Sequence, residues 1–264
     1  MSLDEIAPKK GQRALILGGS RSGKSTLMDM LIRHAQDTRP NIRSLVLDSK
    51  PRFRAEIERT GPAGKIVRDA KRHYDDWEQG PTIPGSYKLD IHAENPLRGY
   101  WKSDDPCRIV IAQTADETER FKLLQIANQW FETRVKGADR LLVVDELLDF
   151  YHGNGVCIAP RCNVPLKVNR AGGERGFSGI YGAQRPRGIP VQITEELSYL
   201  YLFHLRFQQD MKFLWENGVP TNIYPPEEDY AFRLITIAPG GKAEDKGLYR
   251  LKLEDWYTSQ LSDT

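Results

Sequence analysis

The sequence predicts an α/β fold: a central, mostly parallel sheet flanked by helices, with a small C-terminal β-hairpin. Three observations predict it. Apolar runs suited to strands alternate with helical periodicity over residues 11–216. The run Leu141-Leu142-Val143-Val144 is continuously apolar, as a central parallel strand buried on both faces requires. A glycine-rich loop, Gly18-Gly19-Ser20-Arg21-Ser22-Gly23-Lys24-Ser25-Thr26, links an apolar run to a helical one. Strand, glycine loop and helix N-terminus together form a phosphate-binding loop.

Residues 13–17 read as the strand before that loop. Leu27, Met28, Leu31 and Ile32 give the following helix its apolar stripe. Residues 41–48 form a second strand ending at Asp48-Ser49-Lys50-Pro51. Residues 52–79 are charged and are expected to be helical in part, with a basic cluster at Arg68, Lys71, Arg72 and His73. Residues 80–106 read as a connecting loop with one short strand near 87–91. Residues 108–112 give a third strand. Residues 116–136 have the spacing of a long amphipathic helix, through Phe121, Leu124, Ala127, Trp130 and Phe131, stopped by Gly137. After the apolar strand at 141–144 comes a loop at 151–165. Strands follow at 177–183 and 197–205, a helix at 208–216, and a hairpin of 234–237 with 248–253 across Pro239-Gly240-Gly241. We divide the chain into a core of residues 1–220 and an extension of residues 221–264, packed on that core.

Composition narrows the function classes. The 264-residue chain is 39% hydrophobic and 28% charged with a net charge of +2, so bulk charge does not mark a nucleic-acid binder. Contact with DNA would need local patches or several copies. The apolar runs are too short for a membrane span, and Met1-Ser2-Leu3-Asp4-Glu5-Ile6 lacks a signal-peptide core, so a cytoplasmic location is expected. The three cysteines, Cys107, Cys157 and Cys162, suit a reducing compartment; their spacing is not that of a common zinc site, and free thiols are expected.

The chemistry-bearing residues converge on nucleotide hydrolysis. Residues 18–26 would cradle the phosphates of ATP; Lys24 would reach the β- and γ-phosphates and the Ser25 hydroxyl would ligate Mg²⁺. At the end of the apolar strand, Asp145 would be the carboxylate on the Mg²⁺ side and Glu146 would polarise the attacking water. Gln184, before Arg185-Pro186, ends the strand expected beside Asp145 and can touch both γ-phosphate and water, as a sensor of nucleotide state.

The order of these motifs resembles the FtsK/HerA superfamily of DNA-pumping ATPases. The matches are residues 18–25, Val46-Leu47-Asp48-Ser49-Lys50-Pro51, Val143-Val144-Asp145-Glu146, and residues 175–190 with Gln184-Arg185-Pro186 and Ile189-Pro190. They span roughly residues 11–216. Within the superfamily the small size is similar to packaging ATPases of tailless, internal-membrane-containing phages. The resemblance implies a RecA-like P-loop core, a homo-oligomeric ring (pentamer or hexamer), double-stranded DNA as load without sequence preference, a portal or membrane protein at the packaging vertex, and a host-cytoplasmic or virion-associated location. It also implies an arginine donated by a neighbouring subunit; Arg175 ranks before Arg170 and Arg185. The loop 153–170, with Arg161, Lys167 and Arg170, is the DNA-contact candidate. A P-loop nucleotide or metabolite kinase and a Zot-like phage assembly ATPase are the alternatives.

Overall fold

The computed structural model describes residues 2–60, 65–68, 82–97, 100, 108–133, 139–171 and 173–251. A short N-terminal helix α1 (Leu3–Ile6) leads to β1 (Arg13–Leu17), the glycine loop and α2 (Lys24–Thr38). Then come β2 (Ile42–Asp48), β3 (Arg54–Thr60), β4 (Lys65–Arg68), β5 (Thr82–Lys88) and β6 (Ile109–Gln113). α3 (Arg120–Glu132), β7 (Asp139–Val144), α4 (Val164–Ala171) and β8 (Phe177–Ala183) follow. The chain closes with α5 (Val191–Thr194), β9 (Tyr199–Leu202), α6 (Gln208–Glu216), β10 (Ala231–Ile237) and β11 (Ala243–Arg250).

Among the described residues, the strands form one 11-stranded sheet in the order β11-β10-β9-β1-β8-β7-β2-β6-β5-β3-β4. From β9 to β3 every neighbouring pair is parallel; β4, β10 and β11 add antiparallel edges. The α/β prediction is met. β8 lies between β1 and β7, which brings the ends of all three strands to one rim.

The core follows from the pleat. Leu15 and Leu17 of β1, Leu45 and Leu47 of β2, and Leu142 and Val144 of β7 pack on one face with Leu124, Ala127, Trp130 and Val168. Their neighbours Ala14, Ile16, Val46, Leu141 and Val143 pack on the other face with Leu27, Met28, Leu31 and Ile32. A strand with apolar residues at every position therefore serves two helical layers.

Several expectations are corrected. The charged segment after Pro51 was expected to be partly helical; its described parts are β3, parallel to β5, and β4, antiparallel to β3. Sheet pairing has overridden a local pattern that carried no continuous apolar run. The strand expected near 87–91 is β5, which ends at Lys88. Lys71, Arg72 and His73 of the basic cluster, Cys107 and the helix stop Gly137 lie outside the described residues. Phe121, assigned to the apolar stripe of α3, is 41% exposed. The hairpin at the C-terminus continues the central sheet, because β10 pairs with β9.

Candidate functional site

The site lies where the carboxyl ends of β1, β7 and β8 converge with the loop after β2. Gly23 takes φ 104 as the residue before α2, a left-handed conformation that favours glycine, and no side chain caps the helix. The first-turn N–H groups of α2 thus face the loop, the arrangement that binds anions. The loop is tied down from several directions. Gly18 N–H donates to Ala183 O (3.2 Å), Gly19 N–H to His204 O (2.9 Å), and Tyr230 N–H to Ser22 O (3.2 Å). Ser20 and Arg21 are exposed, Gly19, Ser25 and Thr26 half-buried, and Gly18, Ser22, Gly23 and Lys24 buried.

Lys24 Nζ donates to Gly18 O (2.6 Å) and Gly19 O (2.8 Å), folded against its own loop. Burial lowers its pKa to about 8, outweighing the opposing pull of Glu146 and Asp145. Ser25 Oγ donates to Asp145 Oδ1 at 3.1 Å. The Asp145 carboxyl is pushed up to about 7, chiefly by burial and next by Asp48, with Arg52 pulling the other way. Glu146 is also raised by burial, while Lys50 and the Gln184 N–H stabilise its charged form.

Gln184 meets Glu146 through its backbone: its N–H donates to Glu146 Oε1 at 3.1 Å. This close approach of β8 to Asp145 is possible because residue 182 is glycine. A Cβ there would stand 2.2 Å from Asp145 O and 2.4 Å from Met28 Cε.

Sequence reasoning assigned no role to the cations of the β2 loop. Lys50 Nζ lies 3.9 Å from Glu146 Oε2 and 3.3 Å from Asp149 Oδ2. Arg52 Nε lies 3.5 Å from Asp145 Oδ2. Asp48 Oδ2 fixes this loop by accepting from Arg52 N–H (2.6 Å), Phe53 N–H (2.8 Å) and Gln113 Nε2 (2.8 Å). Asp149 in turn accepts from Ser49 Oγ (2.7 Å) and pairs with Arg120 at 3.6 Å. Lys50 carried a signal, as part of Asp48-Ser49-Lys50; Arg52 and Asp149 carried none.

Arg175 is not part of this constellation. It precedes β8 at the opposite end of the strand, about 20 Å away at the usual rise of about 3.3 Å per residue. Its guanidinium stacks 4.2 Å from the Phe131 ring centre and donates to Phe131 O at 3.0 Å. Of the proposed DNA loop, residues 164–171 are helical, and Lys167 pairs with Glu132 (3.1 Å) and donates to Asn128 (2.6 Å). Arg161 and Arg170 are exposed. Cys157 is buried and Cys162 half-buried; both are free thiols. Among the described residues no cluster of His, Cys, Asp and Glu makes a metal site by itself.

The residues present fit a nucleotide with a divalent cation. Ser25 and Asp145 offer hard oxygen donors, suited to Mg²⁺ completed by phosphate and water oxygens. Lys24 and the uncapped α2 terminus supply the positive field for phosphate. Ser22 Oγ, in the loop, is buried without a hydrogen-bond partner.

No protein-family model and no curated protein matches the chain. Solved structures do. The DNA-packaging ATPase B204 of Sulfolobus turreted icosahedral virus superposes with a TM-score of 0.54 at 13% identity, over 89% of this chain and 96% of that one. The genome-packaging NTPase B204 of Sulfolobus turreted icosahedral virus 2 gives 0.54 at 13% in complex with AMPPCP and 0.52 at 13% in complex with ATP-gammaS, with the same coverage of 89% and 96%. At this identity the likeness shows the fold, the P-loop ATPase fold that the motifs predicted.

Proposed function

We propose that this chain is an ATP-hydrolysing motor subunit that moves double-stranded DNA, working as a homo-oligomeric ring in the packaging of a viral genome. The observation that supports it most is the meeting of Lys24, Ser25, Asp145, Glu146 and the tip of β8 at one rim. The set is complete for hydrolysis. Lys24 leaves the carbonyls of Gly18 and Gly19 to hold the β- and γ-phosphates. Ser25 and Asp145 would hold Mg²⁺, which would supply neutralisation of charge on the phosphates. Glu146, kept in place by Gln184 N–H and Lys50, orients the water and accepts its proton. Gln184, at the tip of β8, would sense the terminal phosphate and report the nucleotide state to neighbouring loops.

An arginine given to a neighbour must lie away from its own chain's site. Arg175 meets that condition, and we assign it this role in the ring. Arg161 and Arg170 are the charges left for DNA phosphates, a contact without sequence preference. The likeness in fold to a protein described as a DNA-packaging ATPase supports DNA as the load. Among the described residues no helix is long and apolar enough to cross a membrane.

The test is ATP hydrolysis with and without double-stranded DNA, for the wild type and for Lys24→Ala. Hydrolysis that rises with DNA of any sequence and vanishes in the variant is expected. Turnover that needs a small-molecule acceptor would instead identify a kinase.

A further inference from the structure

The loop after β2 places one cation on each acidic residue of the hydrolytic pair: Lys50 on Glu146 and Arg52 on Asp145. The Arg52 contact is the informative one. Asp145 Oδ1 already accepts from Ser25 Oγ, and Arg52 takes Oδ2 at 3.5 Å. Ser25 and Asp145 are the pair assigned to the divalent cation, so the guanidinium stands where positive charge is needed once a nucleotide binds. A guanidinium and a divalent cation compete for one carboxylate.

The two parts of Arg52 differ in freedom. Its backbone is pinned through the N–H bond to Asp48 Oδ2 at 2.6 Å. Its side chain is 31% exposed, and among the described residues it pairs with Asp145. The guanidinium can turn while the loop stays fixed. Arg52 also lies close enough to Lys24 to depress that ammonium's pKa, which places it within the field of the phosphate-binding loop.

We propose that Arg52 is a nucleotide-sensing cation supplied in cis: it neutralises Asp145 in the nucleotide-free chain and moves to the terminal phosphate when Mg·ATP binds. This rests on the ATPase reading above and adds to it a ligand for the γ-phosphate from the same subunit. With ADP there is no γ-phosphate to receive the guanidinium, so Arg52 remains a competitor for Asp145. The residue therefore favours ATP over ADP twice, by attraction to one and by competition against the other's cation.

The experiment is equilibrium binding by calorimetry of Mg·AMPPNP and of Mg·ADP to wild type, Arg52→Ala, Arg52→Lys and Lys24→Ala. Alanine keeps the N–H that binds Asp48, so the fold of the loop is retained. The preference for AMPPNP over ADP is expected to fall about tenfold in Arg52→Ala, the scale of one lost charge-assisted hydrogen bond. ADP binding should be unchanged or tighter and should need less Mg²⁺, and Arg52→Lys should recover part of the preference. An unchanged AMPPNP-to-ADP ratio in Arg52→Ala, with both nucleotides still bound, overturns the role of Arg52 alone. If wild type binds neither nucleotide, or Lys24→Ala binds both as well as wild type, the nucleotide site itself is wrong and Arg52's role falls with it.

Discussion

The backbone N–H of Gln184 donates to Glu146 Oε1 at 3.1 Å, so the proposed base is held by a main-chain group at the tip of the neighbouring strand. Such a bond survives any change of the Gln184 side chain except to proline, which lacks the N–H. Two variants therefore separate positioning from sensing. Glu146→Gln should bind nucleotide as wild type does and lose hydrolysis by about 100-fold or more, since it cannot accept the proton. Gln184→Ala keeps Glu146 in place; it should bind nucleotide normally and lose the coupling of hydrolysis to DNA. Nucleotide affinity and turnover, each with and without DNA, distinguish these outcomes. A Glu146→Gln protein that still turned over at the wild-type rate would remove Glu146 from the mechanism.

Gly182 makes that approach possible. A methyl group there would meet Asp145 O at 2.2 Å and Met28 Cε at 2.4 Å, and the first of these is backbone that cannot rotate away. Gly182→Ala should cost about 1–3 kcal/mol, the usual range for overpacking, measured by urea unfolding. Gly153 has no neighbour within 4 Å of a built Cβ, so Gly153→Ala is the matched control and should be close to neutral.

Much of this site was legible because its signals are local. The glycine loop, the apolar strand before Asp145-Glu146 and the Gln184-Arg185-Pro186 strand end each carry their chemistry within a few residues. The site is then assembled by adjacency in the sheet, with β8 between β1 and β7. What was missed depends on pairing across the chain. β3 carries charges at Arg54, Glu56, Glu58 and Arg59, and its strand character comes from its partner β5. Arg52 and Asp149 join the site only because Asp48 turns the β2 loop toward β7. The contact of Tyr230 with Ser22 joins residues far apart in sequence, and no local pattern announces it.

Two of the shifted groups, Asp145 and Lys24, give the site a distinctive proton balance. Asp145, raised to about 7 by burial first and then by Asp48, would have to be ionised to serve the metal side in the proposed role. Lys24, lowered to about 8 by burial, would have to be charged to hold phosphate in the proposed role. Near pH 6, binding of Mg·ATP should expel the proton from Asp145, so affinity rises with pH up to the region of about 7. Near pH 9, binding should draw a proton onto Lys24, so affinity falls as pH rises beyond about 8. Calorimetry in buffers of different ionisation heat reads the sign directly: release below neutrality, uptake above it. Proton exchange of the same sign at both ends of the range would show that Asp145 and Lys24 are not the groups that titrate.

Arg175 allows the subunit's own stability to be separated from what it gives a neighbour. Within the chain its guanidinium lies 4.2 Å from the Phe131 ring centre and 5.4 Å from that of Phe177, and it donates to Phe131 O near the end of α3. Arg140 stacks on the same Phe177 ring at 4.8 Å and donates to Trp130 O at 3.0 Å, so α3 keeps a second arginine when the first is removed. Arg175→Ala should therefore cost only about 1–2 kcal/mol of folding stability, one exposed cation–π contact and one hydrogen bond. A trans role predicts far more from activity: a loss of about 1000-fold or greater in an all-variant assembly, because the transferring phosphoryl loses its outside cation. Complementation supplies the decisive reading. Mixing Arg175→Ala subunits with Lys24→Ala subunits should restore turnover that neither variant has alone, since a Lys24→Ala subunit still offers its Arg175 to the intact site of an Arg175→Ala neighbour. A mixture no more active than its two variants alone, with the nucleotide affinity of Arg175→Ala unchanged, would confine Arg175 to its place over Phe131.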